Sequence, residues 1–571
     1  MLLVIRVGST VDLMTEASKT LNALGDTYWA TIAEYAPSVA TVRGIHDFDD
    51  QLKSWNESDL QGFVDRFDAI AHDADSIDLS QLSLQEKITV RLLVYQCEVI
   101  SKDIELRFPI AAVDPYIGIH APLLSYSRQN TVANMDQANA LLGRYQKVPT
   151  YLEDGFAFQR QNGANGMTPA AASVTRVLDQ LDRYLQLPLD DDPFLQLELP
   201  ESGTNWLERA TKLVTETIRP AVAEYRDGLL EHIAPTARPD EKCGLMWITG
   251  GEEIYAHDIY KYTQLNETAQ RIHDIGQHWA TQVNAAEWVE IGEKAFAYST
   301  MDQVFERLHN DPALRFSSEE EMLQHARTAL DRAWSEVDDW FGERPDTPCD
   351  VVPVPAASAP ASPPAYYMQP PVDGSRPGRY FLNTYKPEER DRFEYESIHF
   401  HEGIPGHHFD RSLASELDGI PTFRRYAQVF AHTEGWGLYS ERLADEMGLY
   451  SSEVDRLGMV SADAWRAGRL VTDTGIHELG WSRQQAVEFL QRWTPIGLLT
   501  IEQEVDRYIG MPGQALSYKM GQLEIMRLRR EAEETMGDKF DIKGFHNTML
   551  VNGAMPLPML SEAVSAWMES V

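Results

Sequence analysis

Cysteine is nearly absent. Three residues among 571, Cys97, Cys243 and Cys349, stand far apart. This excludes a disulfide framework and a cysteine-based metal site, and makes a reducing compartment the simplest expectation. Positive charge is scarce too: 50 Lys and Arg face 88 Asp and Glu, a net charge of −38. Such a surface repels nucleic acid and anionic membranes, so neither is expected as a partner. Long apolar runs are missing. The opening Met1-Leu2-Leu3-Val4-Ile5-Arg6-Val7 is short and interrupted by Arg6, too little for a signal peptide. No later run approaches the ~20 residues of a transmembrane helix. No repeat of fixed period is seen. Gly250-Gly251 is followed by Glu252 and Glu253 and by no Gly-Lys-Ser/Thr, which excludes a phosphate loop.

What is present suffices for a large folded body: hydrophobic residues make up 43%. From about residue 10 to 345 apolar residues recur at helical spacing, as in Ile88, Leu92, Leu93, Tyr95 and Val99, and in Leu207, Ala210, Leu213, Val214 and Ile218. From Cys349 the composition turns to Pro, Ala and Ser. The β-rich runs Ala365–Met368 and Gly378–Tyr385 follow, joined by the turn Pro371–Gly378, so two or three short strands are expected. Two regions are read: a helical one over 1–345, and one over 346–571 in which short strands precede further helices.

The second region opens with Ser397-Ile398-His399-Phe400-His401-Glu402-Gly403-Ile404-Pro405-Gly406-His407-His408. A quarter of the chain's 16 histidines lie here. His401-Glu402 followed by further histidines is a variant of H-E-x-x-H, in which two imidazoles one helical turn apart bind zinc and the Glu activates a water. The spacing departs from that motif. Position i+4 is Pro405, and the next imidazoles are at i+6 and i+7. In a regular helix i+6 lies about 120° off the face of i, and i+7 lies roughly 10 Å along the axis. Pro405 removes a helical hydrogen bond and Gly406 permits unusual dihedrals. A two-residue bulge would bring His407 to where i+4 normally sits. The plain alternative is a Pro-Gly break between two helices. His408 would serve only if the distortion were one residue larger.

A carboxylate ligand is expected from a later helix. Glu434, 27 residues beyond His407, has Phe430, Trp436 and Leu438 beside it, and two glycines flank Trp436, where another backbone could approach. Further on, Arg466, Asp473 and His477 fall within about 40° on one helix face, with Arg469 close by. His477 is a candidate proton donor or oxyanion stabiliser, with Asp473 to orient it. In Pro512-Gly513-Gln514-Ala515-Leu516-Ser517-Tyr518-Lys519, Tyr518 is a second candidate for the oxyanion, and Lys519 or an arginine of the stripe could hold a substrate carboxylate. A packed Tyr and a snorkelling Lys are the competing reading.

These motifs, together with Asp373-Gly374-Ser375-Arg376-Pro377-Gly378, resemble the bacterial domain-of-unknown-function 885 family, placed beside the gluzincin-type zinc peptidases. The resemblance covers about Pro364 to the end. It implies a mainly α, two-lobed metallopeptidase-like body with a deep channel and a small sheet beside the zinc helix. It also implies that His401, Glu402, His407 and Glu434 are the zinc-site positions. Many members look like lipoproteins. No lipobox cysteine or signal is read in this chain, and a cytoplasmic location is expected.

The resulting expectation is a zinc-dependent hydrolase of short, flexible peptides or amides. His401, His407 and Glu434 would hold Zn2+, Glu402 would be the general base, and His477 or Tyr518 would stabilise the oxyanion. Strand Gly378–Tyr385, with Tyr380 and Asn383, would pair as an exposed edge with the substrate. Arg466, Arg469 and Lys519 would be further substrate contacts. Rival expectations are a non-peptide amide or ester hydrolase and an inactive ligand-binding protein.

Overall fold

The computed structural model describes residues 15–200, 204–355, 359, 362–370, 376–417 and 419–571. The apolar start, the centre of the Pro-Ala-Ser-rich stretch and most of the turn before Gly378 lie outside the described residues. The chain is mainly helical with one small sheet.

Local sequence explains most helices before residue 345. Helix Leu84–Leu106 opens on a capping box between Ser83 and Glu86, which satisfies two backbone N–H groups at its start. Ile88, Leu92, Leu93, Tyr95 and Val99 are all buried, as their spacing predicts. The second stripe differs. Leu207 is exposed, and Trp206, Ala210, Val214 and Ile218 form the buried row, one at every fourth residue. A helix of 3.6 residues per turn drifts off a period of four. Val214–Ile218 is a π-helical turn, and its wider winding keeps the row facing inward.

The helices that frame the candidate site are α1 (Gly251–Thr263), α2 (Glu319–Trp340), α3 (Tyr395–Glu402), α4 (His407–Ser415), α5 (Phe430–Glu446), α6 (Glu453–His477), α7 (Leu498–Gly510) and α8 (Ser517–Met536). Ser318 and Ser452 cap α2 and α6 by accepting backbone N–H groups of the first turn. One buried cluster joins Ala326, Leu330 and Val337 of α2 to Phe400, Phe409 and Trp436. The sheet's Tyr380 and Leu382 belong to the same cluster. The regions on either side of residue 345 therefore share a core.

Three strands form: β2 (Ala365–Met368) and β3 (Gly378–Leu382) on the β-rich runs, and β1 (Cys349–Pro353) at the start of the stretch read as rich in Pro, Ala and Ser. The order is β1-β3-β2, with β3 parallel to β1 and antiparallel to β2. This corrects the expectation for Gly378–Tyr385. β3 is the central strand, and its N–H and C=O groups are paired on both sides, so it cannot receive a peptide. Asn383, just after it, is buried, and its amide donates to the carbonyls of Ala359, Ser362 and Pro363. Tyr380 is also buried, its hydroxyl hydrogen-bonded to His399 Nδ1 at 2.6 Å. Neither residue is available to a substrate.

Candidate metal centre

The histidine cluster is built on two helices, not on one helix with a bulge. α3 ends at Glu402, and α4 begins at His407. Between them lie Gly403, a cis Ile404–Pro405 peptide and Gly406. The break still does what the bulge was expected to do. The rings of His401 and His407 are 4.6 Å apart, nearly perpendicular. Gly406 makes this close turn possible: a Cβ there would lie 2.0 Å from the carbonyl oxygen of His401 and 2.3 Å from that of Phe400.

Glu434 on α5 completes the group. One oxygen, Oε2, lies 3.6 Å from His401 Nε2 and 3.5 Å from His407 Nε2. Two donors each 2.0–2.1 Å from a tetrahedral zinc are about 3.4 Å apart. Both carboxylate–imidazole separations are close to that value, and all three ligand atoms lie within 4.8 Å of one another. Behind His401, Nδ1–H donates to Glu441 Oε1 at 2.7 Å, and Glu441 Oε2 accepts from Ser397 Oγ at 2.5 Å. With Nδ1 protonated, the lone pair of Nε2 points at the Glu434 oxygen. A cation between these two lone-pair-bearing atoms would be attracted to both. The electrostatics agree. Burial would lower the His401 pKa, but the neighbouring carboxylates of Glu434 and Glu441 outweigh it and raise it to about 9. Burial would raise Glu434, but the two imidazoles hold it well below the usual carboxylate range. The residues fit zinc: two imidazoles and a carboxylate, with no competing thiolate.

Glu441 was missed in the sequence. It lies seven residues after Glu434, two turns along the same face of α5, and that spacing was the available signal. The glycines beside Trp436 have the close approaches their position suggested. Gly435 meets the backbone of Gly521 on α8, where a Cβ would lie 2.5 Å from the carbonyl carbon. Gly437 meets the His401 ring, and a Cβ there would sit 2.7 Å from Cε1.

The other two histidines of the cluster are structural. His408 is buried, with Nδ1 near the hydroxyls of Tyr367 and Ser412 at 3.0 and 3.2 Å. Burial pushes its pKa down to about 4. His399 lies between Tyr380 and His325. His325, Glu396 and Asp455 form a second group with metal-like spacing. There Arg332 and Ser451 already bind the oxygens of Glu396, which leaves it poorly disposed as a ligand.

Glu402 is half-buried beside His401 and makes no hydrogen bond or ion pair among the described residues. His477 is corrected. Its Nδ1 accepts from Leu245 N–H at 3.2 Å, and its Nε2–H donates to the carbonyl of Tyr508 at 3.0 Å. Both nitrogens are spent on backbone, and burial pushes the pKa down to about 3. Nor does Asp473 orient it: that carboxylate accepts from Tyr255 on α1 and from Gly513 N–H. Lys519 is corrected as well. It is sealed from solvent, 2.7 Å from Asp463, with Nζ 3.6 Å from the Trp279 ring centroid. Asp463 also accepts from Arg442 and Asn284. Arg469 is buried and pairs with Glu504 of α7 at 2.9 Å. Tyr518 and Arg466 remain partly open. The three cysteines are all free. No helix among the described residues is long and apolar enough to cross a membrane.

Fold and site together define a mainly helical protein with a two-histidine, one-carboxylate candidate metal centre. The chain belongs to the bacterial protein family of unknown function DUF885, whose pattern matches residues 37–564. No curated protein matches it. Its fold is similar to the crystal structure of a putative lipoprotein from Colwellia psychrerythraea, with TM-score 0.91, 22% identity, and 98% of this chain and 100% of that one covered. It is also similar to a putative lipoprotein of unknown function from Shewanella oneidensis, with TM-score 0.74, 17% identity, and 95% and 99% covered. The description of both as lipoproteins overturns the expected cytoplasmic location.

Proposed function

We propose that this protein is a zinc-dependent hydrolase of peptide or amide bonds. The observation that carries the proposal is the position of one Glu434 oxygen, 3.6 and 3.5 Å from the Nε2 atoms of His401 and His407, with Glu441 behind His401. His401, His407 and Glu434 would hold the zinc. Bound there, the ion supplies Lewis acidity to a water and to the substrate carbonyl. Glu402 follows His401 in sequence and has no partner among the described residues. Its carboxylate takes the proton from the attacking water and delivers it to the leaving amine. Glu441 fixes the tautomer and orientation of His401. The hydroxyl of Tyr518 is the donor left for the developing oxyanion, since both nitrogens of His477 are bound to backbone.

The test is metal analysis of the purified chain followed by digestion of a peptide library read by mass spectrometry. About one zinc per chain and cleavage that Glu402→Gln abolishes are expected. Zinc without cleavage of any peptide, amide or ester would sink the hydrolase reading, and no zinc would sink the metal centre.

A further inference from the structure

Three cations near Tyr518 were candidates for holding a substrate carboxylate, and their partners now separate them. Lys519 is neutralised by Asp463, and Arg469 by Glu504. Arg466 has no carboxylate within ion-pair distance among the described residues. Its one hydrogen bond is a long one, 3.4 Å from Nη1 to the carbonyl of Ala462, and its buried Nε has no acceptor. A buried guanidinium N–H without an acceptor is costly, and an anionic ligand would meet it.

The surroundings point the same way. The Arg466 guanidinium lies 4.9 Å from the Trp465 ring centroid and 5.8 Å from that of Tyr518. Arg469, one turn along α6, lies 4.6 Å from the Tyr518 ring, and its Nη1 is buried without an acceptor. Arg507 of α7 shares Glu504 with Arg469. Two guanidiniums, those of Arg469 and Arg507, therefore share one carboxylate, and Arg466, over the same Tyr518 ring as Arg469, adds a third positive charge in a chain of net charge −38. The acid facing Arg466 from α3's approach is Glu394, which is hydrogen-bonded to Ser461 instead. A local surplus of positive charge inside so acidic a protein is an anion site in waiting.

One helix, α8, links the surplus to the candidate metal centre. Tyr518 precedes Gly521 by three residues, about one turn of α8. The backbone of Gly521 touches Gly435, the residue after Glu434. We propose that Arg466, backed by Arg469 and walled by Trp465 and Tyr518, receives a free carboxylate of the substrate. The class of substrate is then short peptides or acylated amino acids cleaved near their C-terminal end. This deepens the hydrolase reading and rests on it for the word substrate. The binding itself does not depend on turnover.

The experiment separates the two. N-acetyl-Ala-Ala-Phe, as the free acid and as the C-terminal amide, is titrated into the full chain with and without added zinc, following tryptophan fluorescence. Inorganic phosphate is the third probe. Turnover of both peptides is then measured on the zinc-loaded protein. The free acid is expected to bind about 10- to 100-fold more tightly than the amide, as for loss of one charge-assisted contact. Arg466→Gln should erase that difference while leaving amide binding, zinc content and melting temperature unchanged, and Arg466→Lys should restore part of it. Equal binding of acid and amide by the parent would overturn the proposal. So would an equal loss of both in Arg466→Gln, or tighter binding of phosphate than of the free acid. Acid-selective binding without any turnover would keep the subsite and remove the hydrolase; turnover without selectivity would do the reverse.

Discussion

The indole N–H of Trp436 donates to the carbonyl of Pro405 at 2.8 Å. This one bond ties α5, which carries Glu434, to the break between the helices that carry His401 and His407. Trp436 is fully buried. Trp436→Phe keeps most of the packing and removes the donor, leaving a buried carbonyl unmet. The expected cost is about 1–3 kcal/mol of stability, with weaker zinc binding because the break loses its anchor. Thermal melting and a zinc competition titration measure both. Unchanged zinc affinity would mean the break holds its shape without the tryptophan.

The ligand set is testable one residue at a time. His401→Ala, His407→Ala and Glu434→Ala should each abolish stoichiometric zinc. His408→Ala should keep zinc and lose stability, because that buried ring packs against Tyr367. Elemental analysis after dialysis decides. A chain emptied by His408→Ala, with His407→Ala still loaded, would reverse the assignment.

In the proposed centre Glu441 would supply orientation, not a ligand bond. Glu441→Gln retains the shape but weakens the hold on His401 Nδ1–H and the pull on the ring. Zinc affinity should fall about 10- to 100-fold. Activity at saturating zinc should recover, which separates this role from that of a ligand.

Glu402→Gln should bind zinc normally and fold normally, while the catalysed rate drops by about 10²–10⁴. Near-parental turnover in this variant would remove Glu402 from the mechanism.

The site also predicts a pH dependence. In the metal-free chain His401 is raised above its ordinary 6.5 to about 9. Its contribution to stability is then full below pH about 6.5 and is lost as pH rises through about 9. Glu434 is shifted the other way, so its contribution is present above 4.5 and lost as pH falls through its lowered range. Zinc must displace the His401 proton. Affinity should therefore rise with pH between about 7 and 9 and flatten above, with a proton released on binding. Calorimetry in buffers of different ionisation enthalpy reads that proton; no release at pH 7.5 would contradict the geometry around His401.

The sequence by itself determined the helical class, because apolar spacing at three and four is a local property that burial then follows. It also carried the candidate ligand types, since His401, His407 and Glu434 stand out by chemistry and order before any folding is known. The short strands were legible from composition, but their order was not. β3 became central because it returned beside β1, at the start of the Pro-rich stretch, as well as pairing with β2. That pairing is a long-range choice no local run encodes. Partners decided the remaining assignments. His477 and Lys519 sit on helix faces that look functional in projection, yet the chains folded against them supply Leu245, Tyr508 and Asp463 and use up their polar atoms. Spacing says which way a side chain points along its own helix. Only the tertiary structure says what meets it there, and a buried polar group is defined by what meets it.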